Sequence, residues 1–373
     1  GQSVVLEMKL GEGVLPSEVT TPGHGEAQEM LEVTDEEIVI RPLQAGEEGA
    51  LSRLFYYVYG YRYINEFVYY PERIRKMVVE GRLLSTVAAL PGGRLLGHVG
   101  LMKWNDSPPV YEPCLGVTDP AVKARGLFSR IYQRTMELTD RLPMQYCFCD
   151  LVTNHDYSQR LVDRYATHTL ALFVGCQNGS TQARLEKLGM GDDPHRTERY
   201  SLLYSVLPKV AQPFGKELLL PGKLGELLGF LLKPLNLVWT PAPRFSLLPS
   251  EGEYQMHCEP VQQAVLFDLR EPGRRALEQL ARAWTDLLRD GYRYAAVELP
   301  VEKPGLGMAH DFLAEQGFFV AGFVPYHLSA GLGIRFQALA PSKVDFQEIK
   351  VFTDHSRQLL ETVRADYERN AKL

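Results

Sequence analysis

The sequence predicts an α/β fold, more closely α+β, made of two units, each a mixed and mostly antiparallel sheet flanked by helices. Three observations carry this. Over residues 37–207, short apolar runs alternate with amphipathic stretches of helical period. A stretch rich in Pro, Gly and Leu, residues 208–243, then breaks the pattern. After it the order strand, long helix, strand, helix, Gly-Phe, strand returns, repeating the second half of the first unit, and internal duplication is the economical reading. A chain of 373 residues has room for two domains of roughly 150 residues each.

The elements follow in order. Residues 1–36, with Gly, Pro, Thr and Glu and little periodicity, read as a flexible lead-in. Glu37-Ile38-Val39-Ile40-Arg41-Pro42 is a strand, and a helix is expected over 47–59. The aromatic run from Tyr56 to Tyr63, with Phe67, Tyr69 and Tyr70, leads to Pro71, which suits the first turn of a helix ending near 80. Strands at 83–90 and 95–103 are joined by Pro91-Gly92-Gly93-Arg94, which is hairpin chemistry. A strand at 110–117 passes through Thr118-Asp119-Pro120 into a helix at 126–141. A strand at 144–152, a helix at 157–165 and strands near 170–174 and 199–205 close the first unit, 37–207. Residues 208–250 form a connector with one amphipathic helix. The second unit, 251–373, has strands at 264–269, 294–300, 318–326 and 334–339, helices at 272–290 and 308–316, and a terminal helix over 345–371.

Composition excludes several classes of function. Lys and Arg number 40 against 46 Asp and Glu, a net charge of −6, so no basic surface dominates and nucleic acid is not an expected partner. The apolar region from Leu218 to Leu232 is interrupted by Pro221, Gly222, Lys223, Gly225 and Glu226, too often to span a bilayer. The chain start has no basic stretch leading into an apolar core, so no secretory signal is expected. The cysteines, Cys114, Cys147, Cys149, Cys176 and Cys258, form no CxxC pair and have no His at metal-ligand spacing. Buried free thiols in a reducing cytoplasm are the expectation, with Cys147 and Cys149 on one face of a strand. The two-unit fold and the Leu-rich connector also allow a homodimer.

The most informative segment runs from Leu115 to Ile131. A strand enters a short loop containing Lys123, Arg125 and Gly126, and a helix begins at once. That geometry aims backbone N–H groups at one point on the positive end of a helix. A pyrophosphate fits there, and so does a tight turn carrying solvated basic residues.

These residues resemble the signature of the GNAT acyltransferase superfamily: a strand ending in Val, then Pro, then (Arg or Gln)-x-x-Gly-x-(Gly or Ala) opening a helix. Here Val117, Pro120, Lys123, Gly126 and Phe128 occupy those positions, with Lys123 and Phe128 as departures. The resemblance covers about 37–205. Arg41-Pro42-Leu43 looks like the family's first strand, and Ala166-Thr167 stands where Gly-Phe is usual. Tyr59-Gly60-Tyr61, Tyr69-Tyr70-Pro71-Glu72 and the run Thr153 to Gln159 resemble a bacterial subgroup of the family. In the second unit Ala309 through Gly317-Phe318, then Gly322 to Tyr326, look like the family's final helix and strand. Arg270 to Arg275 lacks the loop signature, which makes that unit a degenerate repeat.

The resemblance implies an acyl-CoA-dependent N-acyltransferase that needs no metal. Acetyl-CoA or another acyl-CoA is the expected co-substrate, and the acceptor is the amine of a small molecule or peptide, seated between the units. Leu115, Val117, Lys123, Ala124, Arg125, Gly126, Leu127 and Phe128 would hold the CoA. Glu112, on the strand before the loop, is the candidate base; the other reading of it is a solvent-exposed strand-end carboxylate. The family's acid, a Tyr on the next helix, falls at Val162, so His155 or Tyr157 is expected to stand in, unless His155 merely caps the helix. The Tyr-rich run would wall the acceptor site, although Phe55, Tyr59 and Tyr63 also have the spacing of a helical core face. A non-catalytic protein that binds acyl-CoA or a small ligand on the same fold is the alternative, motivated by Phe128, Val162 and the missing second loop.

Overall fold

A computed structural model describes residues 37–61, 63–106, 109–122, 126–179, 199–242, 247–325, 331–340 and 344–370. The expected lead-in, 1–36, and the candidate CoA residues Lys123, Ala124 and Arg125 lie outside the described residues. The first unit contains β1 (Val39–Pro42), α1 (Glu48–Tyr59), α2 (Pro71–Val79), β2 (Leu83–Ala89), β3 (Leu95–Asp106), β4 (Pro109–Thr118), α3 (Leu127–Thr139), β5 (Tyr146–Val152), α4 (Tyr157–Asp163), β6 (His168–Asn178) and β7 (Arg199–Pro208). The connector holds β8 (Glu217–Leu220), α5 (Gly222–Leu228) and β9 (Val238–Pro241). The second unit holds β10 (Glu253–Glu259), β11 (Ala264–Glu271), α6 (Arg274–Arg289), β12 (Tyr294–Pro300), α7 (Leu306–Glu315), β13 (Phe319–Pro325), β14 (Leu332–Leu339) and α8 (Asp354–Asn370).

The predicted fold class holds, and the two units share one sheet. Twelve strands run in the order β1-β2-β3-β4-β5-β7-β6-β13-β14-β12-β11-β10. The parallel neighbours are β4 with β5 and β11 with β12, and the other pairs are antiparallel. The order is symmetric about the junction of β6 with β13: β3-β4-β5-β7-β6 on one side matches β10-β11-β12-β14-β13 on the other. At that junction Gly322 lies opposite Ala171. A Cβ at position 322 would come 2.2 Å from the Leu170 carbonyl oxygen, and φ is +134° there, so glycine is the residue that lets the two units touch.

Amphipathic helices cover the sheet. In α1, Leu51, Leu54, Phe55 and Val58 recur at helical spacing and are buried with Ile74 of α2 and Val87, Leu115 and Val117 of the sheet. A second, larger core runs through both units and takes in Leu224, Leu228, Leu231 and Leu232 of the connector. In α6, Ala276, Leu277, Leu280 and Trp284 face that core. Helix α8 is fixed to β13 by Asp366, whose Oδ2 accepts the Val320 amide at 2.8 Å with 1% of the residue exposed.

Three expectations need correction. The terminal helix begins at Asp354, not at 345, because Gln159 of α4 pins the preceding segment in extended form. Its Nε2 donates to the Lys350 carbonyl and its Oε1 accepts the Phe352 amide, both at 2.9 Å. Strand β10 was not foreseen; it is an edge strand exposed along most of its length, so no apolar alternation marks it. Cys258 on β10 is exposed, unlike the buried Cys147 and Cys149, and all five cysteines are free.

Candidate active site

The site begins with a gap in the sheet. Strands β4 and β5 pair only at Val110 with Tyr146 and Tyr111 with Cys147. Beyond those rungs no ladder joins them, and the facing backbone groups of 112–118 and 148–152 line a slot between two parallel strands. Opposite β3, β4 carries a bulge: Gly100 faces Cys114 and His98 faces Val117, leaving Leu115 and Gly116 against Val99. Leu115 has φ +54°, unusual for a branched residue. His98 holds it there. Its Nδ1 donates to the Leu115 carbonyl at 2.8 Å, while Nε2 accepts from the Ser85 hydroxyl. Full burial pushes this imidazole down to about 4, with the Leu115 hydrogen bond opposing, so it is neutral at physiological pH.

Helix α3 opens at the mouth of the slot. Its N-cap, Gly126, has φ +79°, and among the described residues no side chain caps the first amides. No described atom lies within 4 Å of a Cβ built on Gly126. Phe128 turns back onto the sheet: its ring would lie 2.8 Å from a Cβ at Gly116, so the glycine makes room for it, and it packs beside Tyr132. Asp119 shapes the turn after β4, accepting from the Ala121 amide at 2.9 Å and from Arg94 at 2.8 Å.

Inside the slot stands Glu112, on the face shared with Phe148 and Asp150 of β5. The Trp104 indole donates to its Oε2 at 2.6 Å. Burial, with the neighbouring charge of Asp150, overrides that hydrogen bond and pushes the Glu112 carboxyl up to about 8. Asp150 is itself raised to about 6 by burial, against the pull of Arg335, with Glu298 adding to the rise. Yet Asp150 is exposed to solvent. Its side chain is crowded by protein yet reached by solvent. Tyr63 forms the other wall. Burial raises its hydroxyl far above the usual range, with Tyr59, Cys114 and Glu112 as its charged or polar neighbours. Tyr59 is anchored by its hydroxyl, which donates to the Gly116 carbonyl at 3.0 Å.

The candidate residues thus fall in three places. Glu112 is inside the slot, partly buried. Leu115, Val117 and Leu127 are buried, so only their backbone groups can meet a ligand, while Gly126 and Phe128 stand at the mouth. His155 and Tyr157 lie beyond the end of β5, at the start of α4, with ring centroids 5.1 Å apart and Tyr157 67% exposed. The residues that flank Glu112 and that sequence reasoning missed are Asp150 and Trp104, with Tyr204 opposite Asp150 on β7. Asp150 shows as a lone charge in an otherwise apolar strand, the one signal that could have exposed it. The Phe55, Tyr59 and Tyr63 rings do pack together, at 6.1, 5.0 and 4.7 Å, although Tyr63 lies past the end of α1.

No family model matches the chain, and no curated protein matches it. Among solved structures it is similar to the spermidine/spermine N-acetyltransferase SpeG from Vibrio cholerae in complex with manganese ions. That likeness has 12% identity, 46% of this chain, 93% of that one and a TM-score of 0.35. It is also similar to Arabidopsis thaliana NAA60 in complex with a bisubstrate analogue, with 13% identity, 45% of this chain, 96% of that one and a TM-score of 0.33. Each overlay spans less than half of this chain.

Proposed function

We propose that this protein is an acyl-CoA-dependent N-acyltransferase of GNAT type, acting on the amine of a small molecule or peptide. The observation that carries the reading is the parting of β4 from β5 with Glu112 inside the gap and the N-terminus of α3 at its mouth. Backbone groups on two facing strands that no ladder joins suit the amides of a pantetheine arm, which can bind as an inserted strand would. The N-terminus of α3, with no described atom within 4 Å of a Cβ on Gly126, suits a pyrophosphate. The residues present therefore fit acyl-CoA, which when bound supplies the thioester.

The chain's own residues then have distinct tasks. Glu112 takes a proton from the acceptor ammonium, releasing a neutral amine whose nitrogen attacks the thioester carbonyl. The C–N bond forms, the C–S bond breaks, and the CoA sulfur leaves with a proton. A carboxyl raised to about 8 is a stronger base than an ordinary carboxylate, and its deprotonated form takes the proton. Trp104 fixes the carboxylate's orientation, and Tyr63 bounds the acceptor's approach. His155 and Tyr157, at the start of α4, are the candidates for the acid that protonates the departing sulfur.

The test is release of free CoA thiol from acetyl-CoA in the presence of a panel of primary amines. Acceptor-dependent release well above the enzyme concentration is expected. Saturable acetyl-CoA binding with no turnover for any amine would favour the ligand-binding reading instead.

A further inference from the structure

One rung of the sheet crosses both units. Residues directly opposite one another, from β5 outward, are Asp150, Tyr204, Ala171, Gly322, Arg335, Glu298, Asp268 and Gln255. Ladder partners share a face, so this row continues the face that bears Glu112. Its two central members, Ala171 and Gly322, are small, and Arg335 uses the space. Its guanidinium carbon lies 3.7 Å from the centroid of the Phe173 ring on β6, two strands away in the first unit. Glu298 holds the guanidinium by accepting from Nε at 2.6 Å and from Nη2. Tyr204 lies on the same row, stacked on Phe148 at 5.2 Å and 5.7 Å from Phe173. It is 5% exposed, and its hydroxyl has no hydrogen-bond partner among the described residues.

A buried hydroxyl left unpaired beside a wetted carboxylate is a costly arrangement unless something binds there. We infer that the second unit completes the acceptor site of the first: the acceptor lies along this rung, its ammonium on Asp150 and a polar group on the Tyr204 hydroxyl, with Arg335 as the positioning residue that faces them from β14. The inference rests on the acyl-transfer reading and adds the acceptor's class, an organic monocation with a hydrogen-bonding group beyond its amine. The groups that act on Asp150 or feel its charge are Glu112 on β4, Cys149 beside it on β5, Cys176 on β6, Tyr204 on β7, Glu298 on β12 and Arg335 on β14. Of these, Arg335 alone is cationic. Without it the anions and the burial would drive Asp150 towards its neutral form, and a neutral acid cannot dock an ammonium ion. The aromatic rings of Phe148 and Tyr204 add faces on which a cation can rest.

The experiment compares the wild type with Arg335→Met/Glu298→Gln, which removes the pair without stranding a carboxylate, with Arg335→Lys, which keeps the charge, and with Asp150→Asn. Carbon-13 titration of the Asp150 carboxyl, assigned with the Asp150→Asn protein, should give a midpoint that rises by at least one pH unit in the double variant and returns in Arg335→Lys. Calorimetry on the CoA-saturated protein with tyramine, ethanolamine, histamine and tryptamine, each a monocation near neutral pH with a further hydrogen-bonding group, should show at least one amine bound by the wild type. That affinity should fall tenfold or more in the double variant and in Asp150→Asn, and recover in Arg335→Lys. Equal affinity across the variants, an unmoved midpoint, or no amine bound by the wild type would overturn the inference. Thiol release, measured separately, tests the acyl-transfer reading, so amine binding lost without any turnover in the wild type would sink that reading while leaving the shared site standing.

Discussion

His98 donates to the carbonyl oxygen of Leu115 across a 2.8 Å hydrogen bond, and Leu115 is held at φ +54°. The contact joins a fully buried imidazole to the strained residue of the β4 bulge, which lies on the part of β4 that no longer pairs with β5. Without it the strained backbone has no reason to persist.

His98→Leu should therefore cost about 2–4 kcal/mol at pH 7, since it leaves the Leu115 carbonyl and the Ser85 hydroxyl unpaired in the core. Urea unfolding measures this, and calorimetry should show acetyl-CoA affinity falling at least tenfold as the bulge relaxes. The pH dependence has a definite sign. The folded value, about 4, is below that of the unfolded chain near 6.5, so acid protonates the unfolded state first. The contribution is complete above pH 6.5 and is lost as pH falls through 4. A variant stripped of the imidazole should lose less stability than the wild type over that interval.

Glu112→Gln should lower kcat by about 10²–10³-fold while leaving acetyl-CoA binding intact. In the wild type, kcat/KM should rise with pH and level off above about 8, because the base works only when deprotonated. The stability effect has the opposite direction from that of an ordinary ion-paired carboxylate. A folded value raised above the unfolded one near 4.5 stabilises the fold at low pH and is lost as pH climbs through 8. Thermal unfolding at pH 8.5 should thus show Glu112→Gln more stable than the wild type, by about 1–2 kcal/mol after allowance for the carboxylate's remaining contact with water.

Gly126→Trp should abolish acetyl-CoA binding with little change in the rest of the fold. The residue is exposed at φ +79° with no described atom within 4 Å of a Cβ there, so the indole fills the region before α3 where a pyrophosphate would sit. Unchanged binding by calorimetry would remove the helix N-terminus from the site.

Gly116 and Phe128 form a space-sharing pair, and a double-mutant cycle should reveal it. Gly116→Ala alone sets a Cβ 2.8 Å from the Phe128 ring and should cost about 1–3 kcal/mol. Phe128→Ala alone should cost about 2–4 kcal/mol through lost packing. In the double variant the clash disappears, and chemical denaturation should show the two costs falling short of additive by at least 1 kcal/mol.

Much of this architecture is legible in residue spacing, and the exceptions have physical causes. Local periodicity marks α1, α3, α6 and the strands between them, because each buries one face. It is silent on β10, where nothing is buried on either face, and it runs α8 too far back, because the Gln159 clamp belongs to another part of the chain. The same division holds for the site. Glu112, Gly126 and Phe128 stand close in sequence to a recognisable strand-loop-helix pattern. Asp150, Tyr204 and Arg335 come together only through the register of several strands and a junction between the units, and no local pattern encodes that. Tyr63 illustrates an intermediate case: its spacing from Phe55 and Tyr59 predicts ring contacts, which occur, but not that the chain leaves the helix before reaching it.

The junction of β6 with β13 has the form of a two-fold dimer interface whose halves are carried on one polypeptide. Two separate copies making such an interface would assemble only as far as their concentration allowed, and dilution would dismantle any site built from both. Joined in one chain, the halves meet at a fixed effective concentration, and their sequences need not match. One half can carry a buried carboxyl beside a helix N-terminus, and the other can present an arginine instead. Asymmetry of that kind is closed to a homodimer, in which every substitution appears twice.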